Sequence, residues 1–258
     1  MRPTRPCRLR RAIVALTFCL PVLATQAAPP LRVAQLETLR YPLLEVDANG
    51  KVSGGLLKSL GDRIAEKLGT SAEHSIWSRR RTESAVLAGE ADIACYLSPI
   101  WSDEARDGLW TIPVLPQIER VVAVHGRHLP SQVPQDFKGL RVAIMLGYHY
   151  RSIQGLFDAR EAQPVEDTRV DNLFRLVLTD RADVLITSDA EIEGQFRQFP
   201  SQRERFDVSK EAFTTVDTQC LVSPKSPWSL AQINVALKNL AASGEIGRLA
   251  ARYGLSMR

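Results

Sequence analysis

The sequence predicts an α/β protein of two lobes built on one plan. Three observations carry this. Short β-branched runs alternate with helical apolar patterns, and the same order of runs returns further along the chain. Two more apolar runs, at 121–124 and 219–223, stand where strands would cross between the repeats. The 258 residues are 45% apolar and 24% charged, an ordinary globular composition that excludes disorder and fibrous repeats. At roughly 150 residues per domain, the length fits one large domain or two lobes.

Residues 1–27 read as a cleavable signal peptide. Arg2, Arg5, Arg8, Arg10 and Arg11 occur there with no acid, an apolar run covers 12–24, and Thr25-Gln26-Ala27-Ala28 supplies small residues for cleavage. Thirteen helical residues reach about 20 Å, short of the roughly 30 Å of a hydrocarbon core. Phe18 precedes Cys19, where a lipoprotein needs a small residue, so no lipid anchor is expected. The formal charge is +4, but removing the five leader arginines leaves 28 bases against 29 acids. The basic balance therefore belongs to the leader. With no Lys/Arg stripe elsewhere, nucleic acid is not an expected partner. No other apolar run approaches eighteen residues, so the mature chain is expected to be soluble.

Leu31-Arg32-Val33-Ala34 reads as the first strand. Residues 55–68 follow with Leu56, Leu57, Leu60, Ile64 and Leu68 near helical period and Gly69 as a stop. Ser75-Ile76-Trp77 is a second strand, 82–88 a helix, and 91–97 a third, buried strand. Then the pattern repeats. Leu140-Arg141-Val142-Ala143 echoes 31–34, and Ala182-Asp183-Val184-Leu185-Ile186 echoes Ala91-Asp92-Ile93-Ala94-Cys95. Residues 125–134, with Gly126, Pro130 and Pro134, read as a linker. Lobe 1 is then 28–124 plus 219–258, and lobe 2 is inserted at 125–218.

These residues resemble a family, the extracellular solute-binding proteins of ABC importers, polar amino-acid type. Tyr41-Pro42 stands where that family has its YPP turn, and Asn49-Gly50-Lys51 where it has a hairpin. Residues 55–69 match its first helix, and Leu87-Ala88-Gly89-Glu90-Ala91-Asp92 its LxxGxxD turn. Asp136-Phe137-Lys138-Gly139-Leu140-Arg141-Val142 matches DLKGKKV, Arg181-Ala182-Asp183-Val184 matches GRVDAV, and 240–254 match the closing helix. The chain departs from the family at three places. Gly55-Leu56-Leu57-Lys58-Ser59-Leu60 lacks both acids of GFDVDL, Arg106 sits out of register with the carboxylate-binding Arg of MTxTxxR, and Gly147-Tyr148-His149 replaces GST.

The resemblance implies a type II periplasmic-binding fold: two lobes, each a mixed, mostly parallel sheet flanked by helices, with two hinge strands and a small ligand between them. It implies a monomeric, non-enzymatic periplasmic receptor. The expected cargo is a small, carboxylate-bearing molecule, an amino acid or related organic acid, for a membrane permease of an ABC importer. The alternatives are a dehydratase-like enzyme on the same fold and a ligand sensor for a membrane signalling protein. No GxSxG, HExxH or P-loop is present, and no cofactor is expected.

Ligands in such sheets sit beyond the carboxyl ends of strands. That places Tyr41 after the first strand, Arg79 and Arg80 after the second, and Tyr96, Ser98 and Trp101 after the third. In lobe 2 it places Gly147, Tyr148 and His149, then Ser188 and Asp189. Arg79, Arg80 or Arg106 can clamp a carboxylate or belong to a solvated face. The rings of Tyr96, Trp101 and Tyr148 can stack on a ligand, or pack the lobes in the case of Trp101. Gly147, read as a glycine between strand and helix, exposes N–H groups to an anion, with His149 beside it. Asp189 can take an ammonium or, with Ser188, only cap a helix. Glu37 and Asp189 are the carboxylates a general acid would need. His125 and His128 have metal-like spacing without further ligands, so no metal is expected. The fold that the resemblance implies sets strand three beside the strand returning from lobe 2, which implies a Cys95–Cys220 disulfide in an oxidising compartment. Two buried thiols are the alternative.

Overall fold

The structure, a computed structural model, describes residues 28–102 and 104–257, with the backbone alone at Arg80. The expected signal peptide and the Arg80 side chain lie outside those residues. The first half comprises β1 (Leu31–Leu36), the hairpin β2 (Glu45–Val46) and β3 (Val52–Gly54), α1 (Leu56–Lys67), β4 (Ala72–Trp77), α2 (Arg79–Ala88) and β5 (Ile93–Leu97). A short β6 (Leu109–Trp110) and the long β7 (Leu115–Val124) lead into the second half. That half holds β8 (Arg141–Met145), α3 (Gln154–Asp158), β9 (Gln163–Asp167), α4 (Val170–Leu178), β10 (Val184–Ser188), α5 (Asp189–Gln198) and β11 (Phe206–Val208). The chain returns through β12 (Thr214–Val222) and ends in α6 (Leu230–Ala242) and α7 (Glu245–Arg252).

The strands share one sheet in the order β4-β1-β5-β12-β7-β10-β8-β9. At one end β4, β1 and β5 run parallel, and at the other β10, β8 and β9 do. Between them β7 and β12 pair antiparallel. Each crossing strand divides its length. Thr214–Thr218 of β12 face β7 and Gln219–Val222 face β5, while β7 faces β12 up to Glu119 and β10 from Glu119 onward. Buried cores lie in each half, around Leu57, Ile64, Ile93 and Leu237 in the first and around Phe137, Val142, Phe174 and Leu185 in the second. Among the described residues no helix is long and apolar enough to cross a membrane.

The two sequence echoes fold into the same device. Arg32 on β1 donates its backbone N–H and both ends of its guanidinium to Asp92 before β5, and Asp92 N–H returns to the Arg32 carbonyl at 2.8 Å. Arg141 on β8 does the same with Asp183 before β10, again with a 2.8 Å return bond. In each half the arginine also bonds the carbonyl of the residue three before its aspartate, Gly89 or Asp180, and both of those have positive φ. The pair fixes the register of a parallel strand whose partner arrives through a helix. A glycine is required at Gly55, the entrance to α1, where φ is 101° and a Cβ would come within 2.5 Å of the Leu43 carbonyl oxygen.

Candidate functional site

The parallel strands β1 and β5, and β8 and β10, run with their carboxyl ends toward the crossing pair β7 and β12, where Leu97 pairs with Gln219 and Ser188 with Glu119. Glu119 stands at the pivot of that crossing, paired in register with Thr214 of β12 and Ser188 of β10. Thr214 Oγ1 donates to its carboxylate at 2.6 Å. Burial pushes the Glu119 carboxyl up, the Thr214 bond opposes this, and the negative charge of Glu191 adds to it.

Glu191 lies in the first turn of α5 and closes a capping box with Ser188. Its carboxylate accepts from Thr187 Oγ1 at 2.6 Å, Ser188 N–H at 3.0 Å and Ser188 Oγ at 2.9 Å. Tyr96, the penultimate residue of β5, has φ 63°, a left-handed conformation that costs a tyrosine energy and is tolerated where its surroundings demand it. Burial raises its hydroxyl pKa, and Glu191, Tyr148, Asp189 and Glu119 raise it further, so this first-half side chain is within electrostatic reach of residues of the second half. Tyr150, 4% exposed, is raised by burial, then by Glu119 and Glu191. Protein surrounds Tyr148 without covering it: the residue is 53% exposed, yet desolvation and Glu191 push its hydroxyl up while Arg79 pulls it down. The Tyr148 and Tyr150 ring centroids are 6.4 Å apart.

Of the residues singled out by sequence, Tyr96 is within electrostatic reach of Tyr148 and Asp189, and Tyr148 of Arg79. Arg79 is the exposed first residue of α2. Asp189 is bound bidentately by Arg120, at 2.8 and 3.1 Å, and Ser188 caps α5. Ser98 is buried at the entrance to a single helical turn, Pro99–Trp101, in which Ile100 is 56% exposed and Trp101 partly so. Gly147 has φ 80° and open space around it, but the helix expected directly after it begins only at Gln154 and spans five residues. Tyr148 N–H turns back to the Met145 carbonyl instead, and His149 is exposed. Arg106 and Glu37 are exposed on the first half. Cys95 and Cys220 form a disulfide between β5 and β12.

Tyr41 takes part in a contact between the halves. The Arg197 guanidinium of α5 lies 3.8 Å from the Tyr41 ring centroid and 3.6 Å from the Glu45 carboxylate. Beneath it, a Cβ on Gly194 would come 2.5 Å from the Tyr41 carbonyl oxygen, so the helix and the turn touch through backbone. Ala190 of the same helix packs into the first-half core. The sequence reading missed Glu119, Glu191, Tyr150 and Arg120. Glu191 was legible as the fourth residue of Ser188-Asp189-Ala190-Glu191, a capping-box spacing. For Glu119 the only signal was two charges, Glu119-Arg120, inside an otherwise apolar strand.

Solved structures share this architecture. The chain is similar to the L-cystine solute receptor of Neisseria gonorrhoeae, with TM-score 0.68 and 21% identity over 88% of this chain and 94% of that one. It is similar to a histidine kinase sensor domain resembling periplasmic binding proteins, with TM-score 0.68 and 19% identity over 90% and 99%. It is also similar to an ancestral arginine-binding protein bound to arginine, with TM-score 0.66 and 19% identity over 88% and 99%. The chain has the two-lobed type II periplasmic-binding fold. No family model and no curated protein sequence matches it. Within this periplasmic-binding fold, Glu119 lies on the crossing strand β7 where it meets both β12 and β10, and its charge acts on Tyr96 of the first half and on Tyr148 and Tyr150 of the second.

Proposed function

We propose that the chain is an extracytoplasmic receptor that captures a small molecule by lobe closure, with lobe 1 at 28–124 plus 219–258 and lobe 2 at 125–218. The cargo is a carboxylate-bearing molecule, an amino acid or related organic acid, passed to the permease of an ABC importer. The observation that carries this reading is the crossing of the two halves at β7 and β12. There Ser188, at the head of α5, pairs with Glu119, and Tyr96 of one lobe lies within electrostatic reach of Tyr148, Asp189 and Glu191 of the other. Side chains that converge from two bodies onto one space recognise what fills it, and closure follows from contacts that exist only when it is filled. Arg79, at the rim by Tyr148, is placed for the carboxylate.

A thermal-shift screen over amino acids, carboxylic acids, aromatic acids and polyamines tests the reading. A ligand at 100 times its Kd adds about 2.7 kcal/mol of stability, and small-angle scattering then reports a smaller radius. A screen with no stabilising compound sinks the receptor. Glu119 favours a second reading, because a carboxyl whose pKa is raised by burial holds its proton more readily and can act as a general acid, as a dehydratase needs. Conversion of a stabilising compound into product would establish it. The likeness to a sensor domain supports a membrane signalling protein as the alternative partner, and co-purification with either class of membrane protein decides between them.

A further inference from the structure

Resting on the receptor reading, we propose that Glu119 is the seat of a positive charge on the ligand: its carboxylate, at the hinge pivot and flanked by Glu191, Tyr96, Tyr148 and Tyr150, takes an ammonium or guanidinium group. The argument is one of unbalanced charge. Three carboxylates, Glu119, Asp189 and Glu191, act on Tyr96, and Asp189, the acid that sequence marked for an ammonium, is already neutralised by the bidentate Arg120. Glu191 is satisfied by three hydrogen-bond donors from Thr187 and Ser188, but all three are neutral and leave its charge in place. Glu119 accepts one neutral hydroxyl bond from Thr214 and, among the described residues, has no cationic partner.

Glu119 and Glu191 are therefore two half-buried acids within electrostatic reach of each other. Burial and Glu191 both disfavour ionised Glu119, a cost that an incoming cation removes on both counts. Tyrosine rings favour the same guest, since their π faces attract cations. Arg79 is exposed and its charge acts on Tyr148, so a zwitterion would enter with its cationic end toward Glu119 and its carboxylate toward Arg79. A purely anionic ligand would bring a third negative charge to Glu119 and Glu191. The ligand class is thus a small organic cation or a basic amino acid, not a dicarboxylate.

The test is isothermal titration at pH 8 with putrescine, agmatine, L-arginine and glutarate, on the wild-type protein and on Glu119→Gln, Glu119→Asp and Glu73→Gln. Glu119→Gln retains an acceptor for Thr214, and Glu73 is exposed on the edge strand β4. The expected result is that at least one of the three amines binds, that Glu119→Gln loses 30-fold or more in affinity for it, that Glu119→Asp loses less, and that Glu73→Gln matches wild type. Binding of glutarate alone overturns the cation seat while the receptor reading stands. So does wild-type affinity for an amine in Glu119→Gln. Failure of all four probes, together with a blank in the broader screen, overturns both.

Discussion

Two half-buried titrating residues give the stability of this protein opposite pH slopes. Glu119 has a raised pKa, so its folded value lies above its unfolded one. Its contribution is fully present below the unfolded value, near 4.5, and is lost as pH rises through the folded value. Glu119→Gln removes that loss. Its denaturation midpoint should equal wild type at pH 4 and exceed it at pH 8, and an unchanged difference between the two pH values would contradict the argument. His74 has the reverse sign. Its Nδ1 pairs with Gln35 Nε2 at 3.1 Å and its Nε2 with Asp62 at 2.9 Å. Burial pushes its pKa down, and Asp62 only partly restores it. Stability from neutral His74 is complete above about pH 6.5 and falls as pH drops below that value toward the lowered folded value. Chemical-denaturation curves from pH 8 to pH 5 should show this loss in wild type and a flatter profile in His74→Gln.

At the scale of elements, the strand locks and the α5 contact separate what sequence could show from what it could not. The echoes Arg32/Arg141 and Asp92/Asp183 were legible because each lies inside one strand pattern, and the fold turns both into the same ion pair. The locks are not equal. Asp92 is fully covered while Asp183 keeps 28% of its side chain exposed. Arg32→Ala should therefore cost about 2 kcal/mol, reduced from the usual buried-pair figure because the arginine is partly solvated and its backbone N–H still bonds Asp92. Arg141→Ala should cost less, and equal shifts in urea midpoint would show that burial does not set the difference. The first turn of α5 was legible through Ser188. The Arg120–Asp189 pair was not, since it joins residues 69 positions apart that meet only once β7 pairs with β10. Gly147 misled because a turn, not a helix, follows it: no apolar period runs from Leu146 to Tyr150, where Leu146, Tyr148 and His149 are exposed. Glu119 was hidden for the same reason as Arg120, because its meaning comes from two strand partners brought together by the crossing.

At the scale of the molecule, the Cys95–Cys220 bond ties the returning hinge strand to the floor of lobe 1 and closes a loop of 125 residues that contains all of lobe 2. The Cys95→Ala, Cys220→Ala double variant should lose about 2–5 kcal/mol, and an unreduced wild-type protein that still alkylates at two thiols would remove the basis of that prediction. The bond also confines bending to the remainder of the hinge, around Glu119 and Thr214. The grip of α5 on the Tyr41 turn acts against that bending. Because Gly194 meets Tyr41 through backbone, Gly194→Val should hold the lobes apart and enlarge the radius of gyration measured by scattering. Arg197→Ala should weaken the grip without blocking approach. Contacts such as these belong to the polypeptide and need no guest, so they lower the energy of any arrangement in which the halves meet here, whether or not a ligand is bound. Any membrane protein that reads the shut form would then hear a background level of false arrivals, set by the strength of one arginine on one tyrosine. Strengthening that grip would raise apparent affinity and narrow the contrast between full and empty; weakening it would sharpen the contrast and demand more of the ligand.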